Sequence, residues 1–199
     1  IILVAPQLGE NIGMTARAML NCGLCDLRLV RPRDGWPSEA ARKAAAGTDI
    51  VLEHARLFDN AAAAVADLQR VLATTARPRG MVGRVATPAG AAGEIRTAAA
   101  RGQACGIMFG GERAGLSNDD LTLADILVRI PLNPAFSSLN LSQAVLLLGY
   151  AWRMAGETTA AIPPVLEAGD SPPATKQELE NFLTRLEERL HARGFYRAP

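Results

Sequence analysis

Ile130-Pro-Leu-Asn-Pro-Ala-Phe-Ser-Ser-Leu-Asn-Leu-Ser-Gln-Ala-Val145 is the stretch whose reading decides the fold. Just before it, Ile126, Leu127 and Val128 form with Ile130 a short apolar strand, which Pro131 ends because proline has no amide to give to a ladder. A loop carrying Pro131, Pro134, Ser137 and Ser138 follows, and a long apolar helix starts near Asn140. A strand that passes through a polar loop into a buried helix sets exposed amides and side chains at the strand's carboxyl end. That arrangement suits a ligand.

The same alternation runs outward in both directions. Residues 1–5, 27–30, 71–75 and 105–109 read as strands, with a weak strand at 50–52. Helices are expected at 11–22, 38–46, near 60–68, near 91–101 and at 140–154, with a short helical turn near 118–123. Regular strand–helix alternation predicts an α/β fold, a parallel sheet with helices on both faces. The 140–154 helix is apolar nearly all round. Leu141, Ala144, Val145, Leu148 and Trp152 make one stripe, while Leu146, Leu147, Tyr150 and Met154 fill the opposite side. Both sides need cover, which predicts either a second subunit, and hence a homodimer, or a central helix within one domain.

Pro163, Pro164, Pro172 and Pro173 mark 157–174 as a linker. Thr175 and Glu178 have capping-box spacing, and Leu179, Phe182, Leu183, Leu186 and Leu190 repeat at helical spacing up to Gly194, a C-cap. The expected organisation is a domain over 1–156, a linker over 157–174 and a C-terminal amphipathic helical extension over 175–199. That last helix mixes both charge signs on its polar face, so it is expected to dock on protein rather than on a membrane.

Composition narrows the function classes. A formal charge of +1 over 199 residues does not mark a strongly basic nucleic-acid binder, so any basic surface has to be local. No apolar run reaches the length of a membrane span. The chain opens on Ile1-Ile2-Leu3-Val4 without an initiator methionine, so its native start is expected upstream. Three cysteines, an odd number, argue against a disulfide framework and for a reducing cytoplasm. Cys22-Gly-Leu-Cys25 falls where a helix ends, with Gly23 as its C-cap, and no second CxxC accompanies it, so it reads as structural and no metal site is expected.

Three segments at strand ends carry candidate chemistry. Asn11-Ile-Gly-Met-Thr-Ala-Arg17 opens the first helix, with Asn11 as an N-cap whose neighbouring amides favour an anion. Arg17 lies one turn beyond Gly13 on the same face and is expected to reach back over it toward that anion. A capped helix with a surface arginine fits the segment equally well. Gly110 and Gly111 let a ligand approach the backbone, and Glu112 sets a carboxylate beside them, although the segment lacks the GxGxxG of a dinucleotide site and so argues against a nucleotide-dependent oxidoreductase. Thr74-Thr75-Ala76-Arg77 ends a further strand, and Arg70, Arg77, Arg79 and Arg84 fall in a stretch without acids from Leu68 to Gly93. That basic loop suits phosphate contacts, and a solvated loop is the plainer alternative.

In this order the segments resemble the SpoU-type ribose 2′-O-methyltransferases of the SPOUT superfamily, over Ile1 to about Gly156. The first family motif matches Asn11 and Arg17. The second matches Phe109, Gly110, Glu112, Gly115 and Leu116, and the third matches Ile130, Pro131 and Ser138-Leu139-Asn140. Residues 73–77 and 133–138 are similar to the branch that modifies tRNA cytidine or uridine in the anticodon loop. That branch often has arginine where Gly111 stands here. The resemblance implies a C-terminal trefoil knot, an exception to the usual unknotted rule, and a homodimer with its active site at the interface. It also implies S-adenosyl-L-methionine held by Thr74, Thr75, Ala76, Gly110, Ile130, Ser137, Ser138 and Leu139, with tRNA contacted by Arg17, Arg77, Arg79 and Arg84. The family proposal makes Arg17 the general base. Arginine resists proton loss, so we expect Arg17 to anchor phosphate and stabilise the developing alkoxide, with a phosphate oxygen or a strongly perturbed Arg17 taking the proton. Asn11, Glu112, Ser138 and Asn140 are expected to position these groups. Alternatives within the resemblance are rRNA or another tRNA position as substrate, or a non-catalytic RNA-binding knotted module. The family's chain continues beyond Phe195, so a truncated C-terminus is expected.

Overall fold

The structure, a computed structural model, describes residues 1–76, 84–156 and 176–196. Seven strands form one sheet: β1 (Ile2–Val4), β2 (Arg28–Val30), β3 (Arg56–Phe58), β4 (Arg70–Thr74), β5 (Arg84–Ala86), β6 (Cys105–Gly110) and β7 (Ile126–Val128). Their order is β3-β2-β1-β6-β4-β7-β5 and every pairing is parallel. The helices are α1 (Gly9–Asn21), α2 (Glu39–Ala45), α3 (Asp49–Glu53), α4 (Ala61–Val65), α5 (Pro88–Ala100), α6 (Asn118–Thr122), α7 (Leu141–Gly156) and α8 (Lys176–Ala192). The chain divides into two units, Ile1–Thr159 and Ala160–Pro199, and α8 belongs to the second.

Period-two alternation splits the strand residues between two cores. Leu3, Leu29, Leu72, Ile107, Phe109, Ile126 and Val128 face residues of α1, α2, α5 and α7. Ile2, Val4, Val30, Val71, Ala73, Met108 and Leu127 face α4 and α6. Because all strands run one way, their carboxyl ends, the β6–α6 turn and the starts of α1 and α7 gather at one edge of the sheet.

Three local expectations change. Residues 50–52 belong to α3, where Val51 and Leu52 are buried while Ile50 is 56% exposed. A short apolar run does not separate strand from helix by periodicity. The strand there is β3, and together with β5 it forms the two edges of the sheet. Each edge strand has three residues and opens on arginine, so neither carries the apolar run that marks a buried strand. Helix α1 begins at Gly9, two residues ahead of Asn11. Gly23 follows α1 with φ 75°, as a helix stop requires, and Cys22 and Cys25 remain free thiols.

Helix α8 ends at Ala192 and Gly194 follows with φ 68°, Phe195 N–H donating to the Leu190 carbonyl at 3.0 Å. The linker and the Thr175 cap lie outside the described residues, as does the side chain of Leu179.

Candidate active site

Asn11 is not a helix cap. It sits in the first turn of α1, 2% exposed, and its amide joins two other motifs. Its Nδ2 donates to Glu112 Oε1 at 2.6 Å, and its Oδ1 accepts from Asn140 Nδ2 at 2.9 Å. Asn140 in turn caps α7. Its Oδ1 accepts from the Ser142 amide at 2.9 Å and from the Ser142 hydroxyl at 2.7 Å, while its own N–H donates to Gln143 Oε1 at 3.2 Å. Glu112 also accepts from the backbone amides of Gln7 at 2.8 Å and Leu8 at 3.3 Å. The anion expected at the start of the first helix is therefore the chain's own carboxylate.

This network has a fixed sense. A carboxylate at one end only accepts, and two donors of Ser142 meet Asn140 Oδ1 at the other, so both asparagine amides can point only one way. Burial alone would raise the Glu112 pKa. The Asn11 amide and the backbone amides of Gln7, Glu112 itself and Leu8 outweigh it and hold the carboxyl below its usual value. An ionised, triply bonded carboxylate is a poor proton acceptor near neutral pH. Glu112, Asn11 and Asn140 thus form a scaffold that ties α1, the 110–116 turn and α7 together.

The two other residues with expected catalytic roles are free of it. Arg17 is exposed on α1 and its side chain forms no hydrogen bond or ion pair with another described residue. Ser138 is exposed on the loop before α7. Gly13 does not clear a path for Arg17. A β-carbon there would fall onto the Ala41 carbonyl oxygen, and one at Gly9 onto the Ser38 hydroxyl. These two glycines let α1 approach α2 closely.

Beside the scaffold lies a cavity of about 390 Å³. All eight residues expected to hold the cofactor line it: Thr74, Thr75, Ala76, Gly110, Ile130, Ser137, Ser138 and Leu139. Val128, Leu132, Leu141 and Ala144 add apolar wall, while Arg113 and Glu112 are its charged members. The Thr74 hydroxyl is spent on the Met108 carbonyl at 3.1 Å, which fixes the end of β4 against β6. Of the expected RNA contacts, Arg77 and Arg79 lie outside the described residues. Arg84 opens β5 at the opposite edge of the sheet and pairs with Glu94. Among the described residues no cluster of His, Cys, Asp or Glu could hold a metal ion, and no helix is long and apolar enough to cross a membrane.

The sequence model of the SpoU rRNA methylase family matches residues 1–150, which include every residue of the cavity and the scaffold. The chain belongs to the SpoU family. It is 36% identical over 199 residues to the tRNA (cytidine/uridine-2′-O-)-methyltransferase TrmJ of Yersinia enterocolitica, covering 99% of this chain and 76% of that protein. The crystal structure of TrmJ from Z. mobilis ZM4 superimposes with a TM-score of 0.73 at 49% identity, covering 99% of this chain and 81% of that one. The SpoU methyltransferase AviRb of Streptomyces viridochromogenes, solved with AdoMet, shares the fold at a TM-score of 0.60 and 20% identity, covering 77% of this chain and 56% of that one.

Within this SpoU chain, sequence reasoning missed four residues that bond to the scaffold. Gln7 and Leu8 act through backbone amides, which leave no side-chain signal. Ser142 and Gln143 carry one, since Asn140-Leu-Ser-Gln143 has the spacing of a cap with a glutamine three residues on.

Proposed function

We propose that this chain transfers a methyl group from S-adenosylmethionine to a ribose 2′-hydroxyl of tRNA, at cytidine or uridine in the anticodon loop. The observation that carries this reading is the convergence of three sequence-distant segments, 74–76, 109–116 and 128–144, on one cavity in a SpoU chain, with Asn11 of the first motif bonded to Glu112 beside it. The named activity of the TrmJ relatives supports the tRNA substrate.

The cavity fits the cofactor in size and chemistry. Its volume is in the range of small-molecule sites, its apolar wall suits an adenine ring, and its loop backbones suit polar groups. Thr74, Thr75, Ala76, Gly110, Ile130, Ser137, Ser138 and Leu139 would hold it, and when bound it supplies an electrophilic methyl on a sulfonium.

The chain's own residues then have to place the ribose and manage one proton. Arg17, which forms no ion pair with another described residue, grips a phosphate and stabilises charge developing on the 2′-oxygen, and a phosphate oxygen or a strongly perturbed Arg17 takes the proton. Ser138, exposed on the cavity wall, orients the ribose. Asn11, Glu112 and Asn140 keep the three segments in register. Arg77 and Arg79 contact the RNA backbone, and Arg84 joins them only by leaving Glu94.

Residues 1–156 form the methyltransferase domain with a C-terminal trefoil knot, and 157–174 tether the amphipathic extension at 175–199. The outer face of α7, with Leu146, Leu147, Tyr150 and Met154 exposed, supports a homodimer assembled beside the site. The reading places the enzyme in the cytoplasm, where tRNA is processed.

The test is methyl transfer to tRNA with nucleotide mapping. Ribose methylation in the anticodon loop is expected, unaffected by EDTA once tRNA folding is controlled. Methylation on a base, or no cofactor binding by calorimetry, would sink the reading.

A further inference from the structure

Arg113 occupies the middle of the turn that follows β6. Gly115 N–H donates to the Gly111 carbonyl at 2.9 Å, closing the turn on itself. A β-carbon at Gly110 would collide with the backbone of Gly115 and Leu116, and Gly115 has φ 67°. The turn is therefore tightly constrained and presents Arg113 from a pre-set support.

Arg113 is exposed, lines the cavity and forms no hydrogen bond or ion pair with another described residue. Its neighbour Glu112 does not neutralise it, because that carboxylate turns to α1 and is taken by Asn11 and two backbone amides. Among the described residues of the cavity wall, Arg113 is the sole cation and Glu112 the sole acid. A lone guanidinium on a partly apolar wall fits a pair of anionic oxygens, which its planar fork grips with two parallel hydrogen bonds.

We propose that Arg113 is the anion-binding residue of this cavity, taking a carboxylate or phosphate in a two-pronged grip. The inference rests on the methyltransferase reading, which brings two such anions here: the carboxylate at the methionine end of the cofactor and a phosphate of the RNA strand.

Arg113→Ala, Arg113→Gln and Arg113→Lys separate the sources. Binding of S-adenosylhomocysteine and of 5′-methylthioadenosine, which lacks the amino-acid end, is measured by calorimetry. Affinity for tRNA is measured over a salt series, with melting temperature as the folding control. If the anion is the carboxylate, Arg113→Ala weakens S-adenosylhomocysteine about tenfold or more and leaves methylthioadenosine unchanged. If it is a phosphate, both small ligands bind as before. The tRNA affinity then falls, and the slope of log K against log salt shrinks by about 0.7 to 0.9. Lysine restores part of the loss in either case and glutamine does not. Retention of all three affinities within about twofold by Arg113→Ala and Arg113→Gln overturns the proposal. Wild-type protein that binds neither S-adenosylhomocysteine nor tRNA overturns the methyltransferase reading itself, and this inference with it.

Discussion

The two edges of the sheet treat arginine in opposite ways. At the amino edge, β2, β3, β4 and β5 each open on one, and each is paired. Arg28 meets Asp26 at 3.2 Å and also Asp67, and Arg56 meets Asp26 at 2.9 Å. Arg70 meets Asp125 at 3.6 Å, and Arg84 meets Glu94. At the carboxyl edge, Arg31 after β2, Arg113 after β6 and Arg129 after β7 are exposed and form no ion pair with a described residue. Arg33 beside them is paired with Asp34 at 2.9 Å. The acid of the cavity wall, Glu112, is satisfied by amide donors instead of a cation. The amino edge uses charge to hold the strands; the carboxyl edge leaves positive charge for something that is not part of the chain.

Removing Arg17 and Arg28 in turn gives the largest expected effect. Arg17→Ala should lower methyl transfer more than about a hundredfold, with cofactor affinity and melting temperature near wild type. Arg28 is 4% exposed and also donates to the Ala64 carbonyl at 2.7 Å, so Arg28→Ala should cost roughly 2 to 3 kcal/mol of stability. The molecules that remain folded should still turn over. Kinetics and thermal melts on both variants decide it. Arg17→Ala retaining more than about a tenth of the rate would move the transition-state role elsewhere.

A second copy of the chain is the next way to probe the carboxyl edge, because α7 starts there at Leu141, behind its Asn140 cap. Its inner residues Leu141, Val145 and Leu148 are buried, whereas Tyr150 is 58% exposed and Leu146 43%. Tyr150→Glu should convert dimers to monomers with little transfer activity, since a carboxylate buried in an apolar interface has no partner. Sedimentation is the measurement. A folded, active wild-type monomer at micromolar concentration would mean that one subunit makes the site alone.

How much of this was readable in the sequence follows from where each force originates. The central strands announce themselves because they are covered on both faces and so carry unbroken apolar runs, as in Cys105–Gly110. Edge strands β3 and β5 are covered less and show no such run; Leu57 is 51% exposed and Val85 63%. Asn11 has the local look of a cap, but an acceptor 101 residues away claims its amide. Gly13 looks the same whether it serves a ligand or a neighbouring helix, and only the position of Ala41 distinguishes them. The cavity-lining loops were named through resemblance to a family, because no spacing rule links Thr74, Gly110 and Ser138.

The amide chain offers a smaller effect. Ser142→Ala removes the hydroxyl that donates to Asn140 Oδ1 and keeps the backbone donor, so a loss of about 1 kcal/mol is expected. Asn140→Asp is harsher per atom removed. Two acceptors would then face Asn11, whose amide must flip and turn its oxygen toward Glu112. Activity of Asn140→Asp should therefore recover partly when Glu112→Gln is added, a coupling read by a double-mutant cycle. Additive losses would show that the network has no fixed sense.

The smallest effect is a pH dependence. Glu112 has a lowered pKa in the folded chain, so its hydrogen bonds contribute stability fully above the unfolded value, about 4.3. That contribution is lost as pH falls through the folded value. Asp26 and Asp67 at the amino edge are lowered too. Burial opposes Asp26, but Arg56 and Arg28 outweigh it, and the hydrogen bond from Arg28 leads for Asp67. Wild-type melting alone would mix both edges, so the informative quantity is the stability gap between wild type and Glu112→Gln. A glutamine cannot accept from all three donors and stays neutral at every pH. The gap should be on the order of 1 kcal/mol and flat from about pH 8 to about pH 5. Below the ordinary glutamate range it should narrow, because only wild type loses its charge. A gap that widens in acid would mean that the carboxylate is destabilising where it sits, and the carboxyl edge would then be strained instead of satisfied.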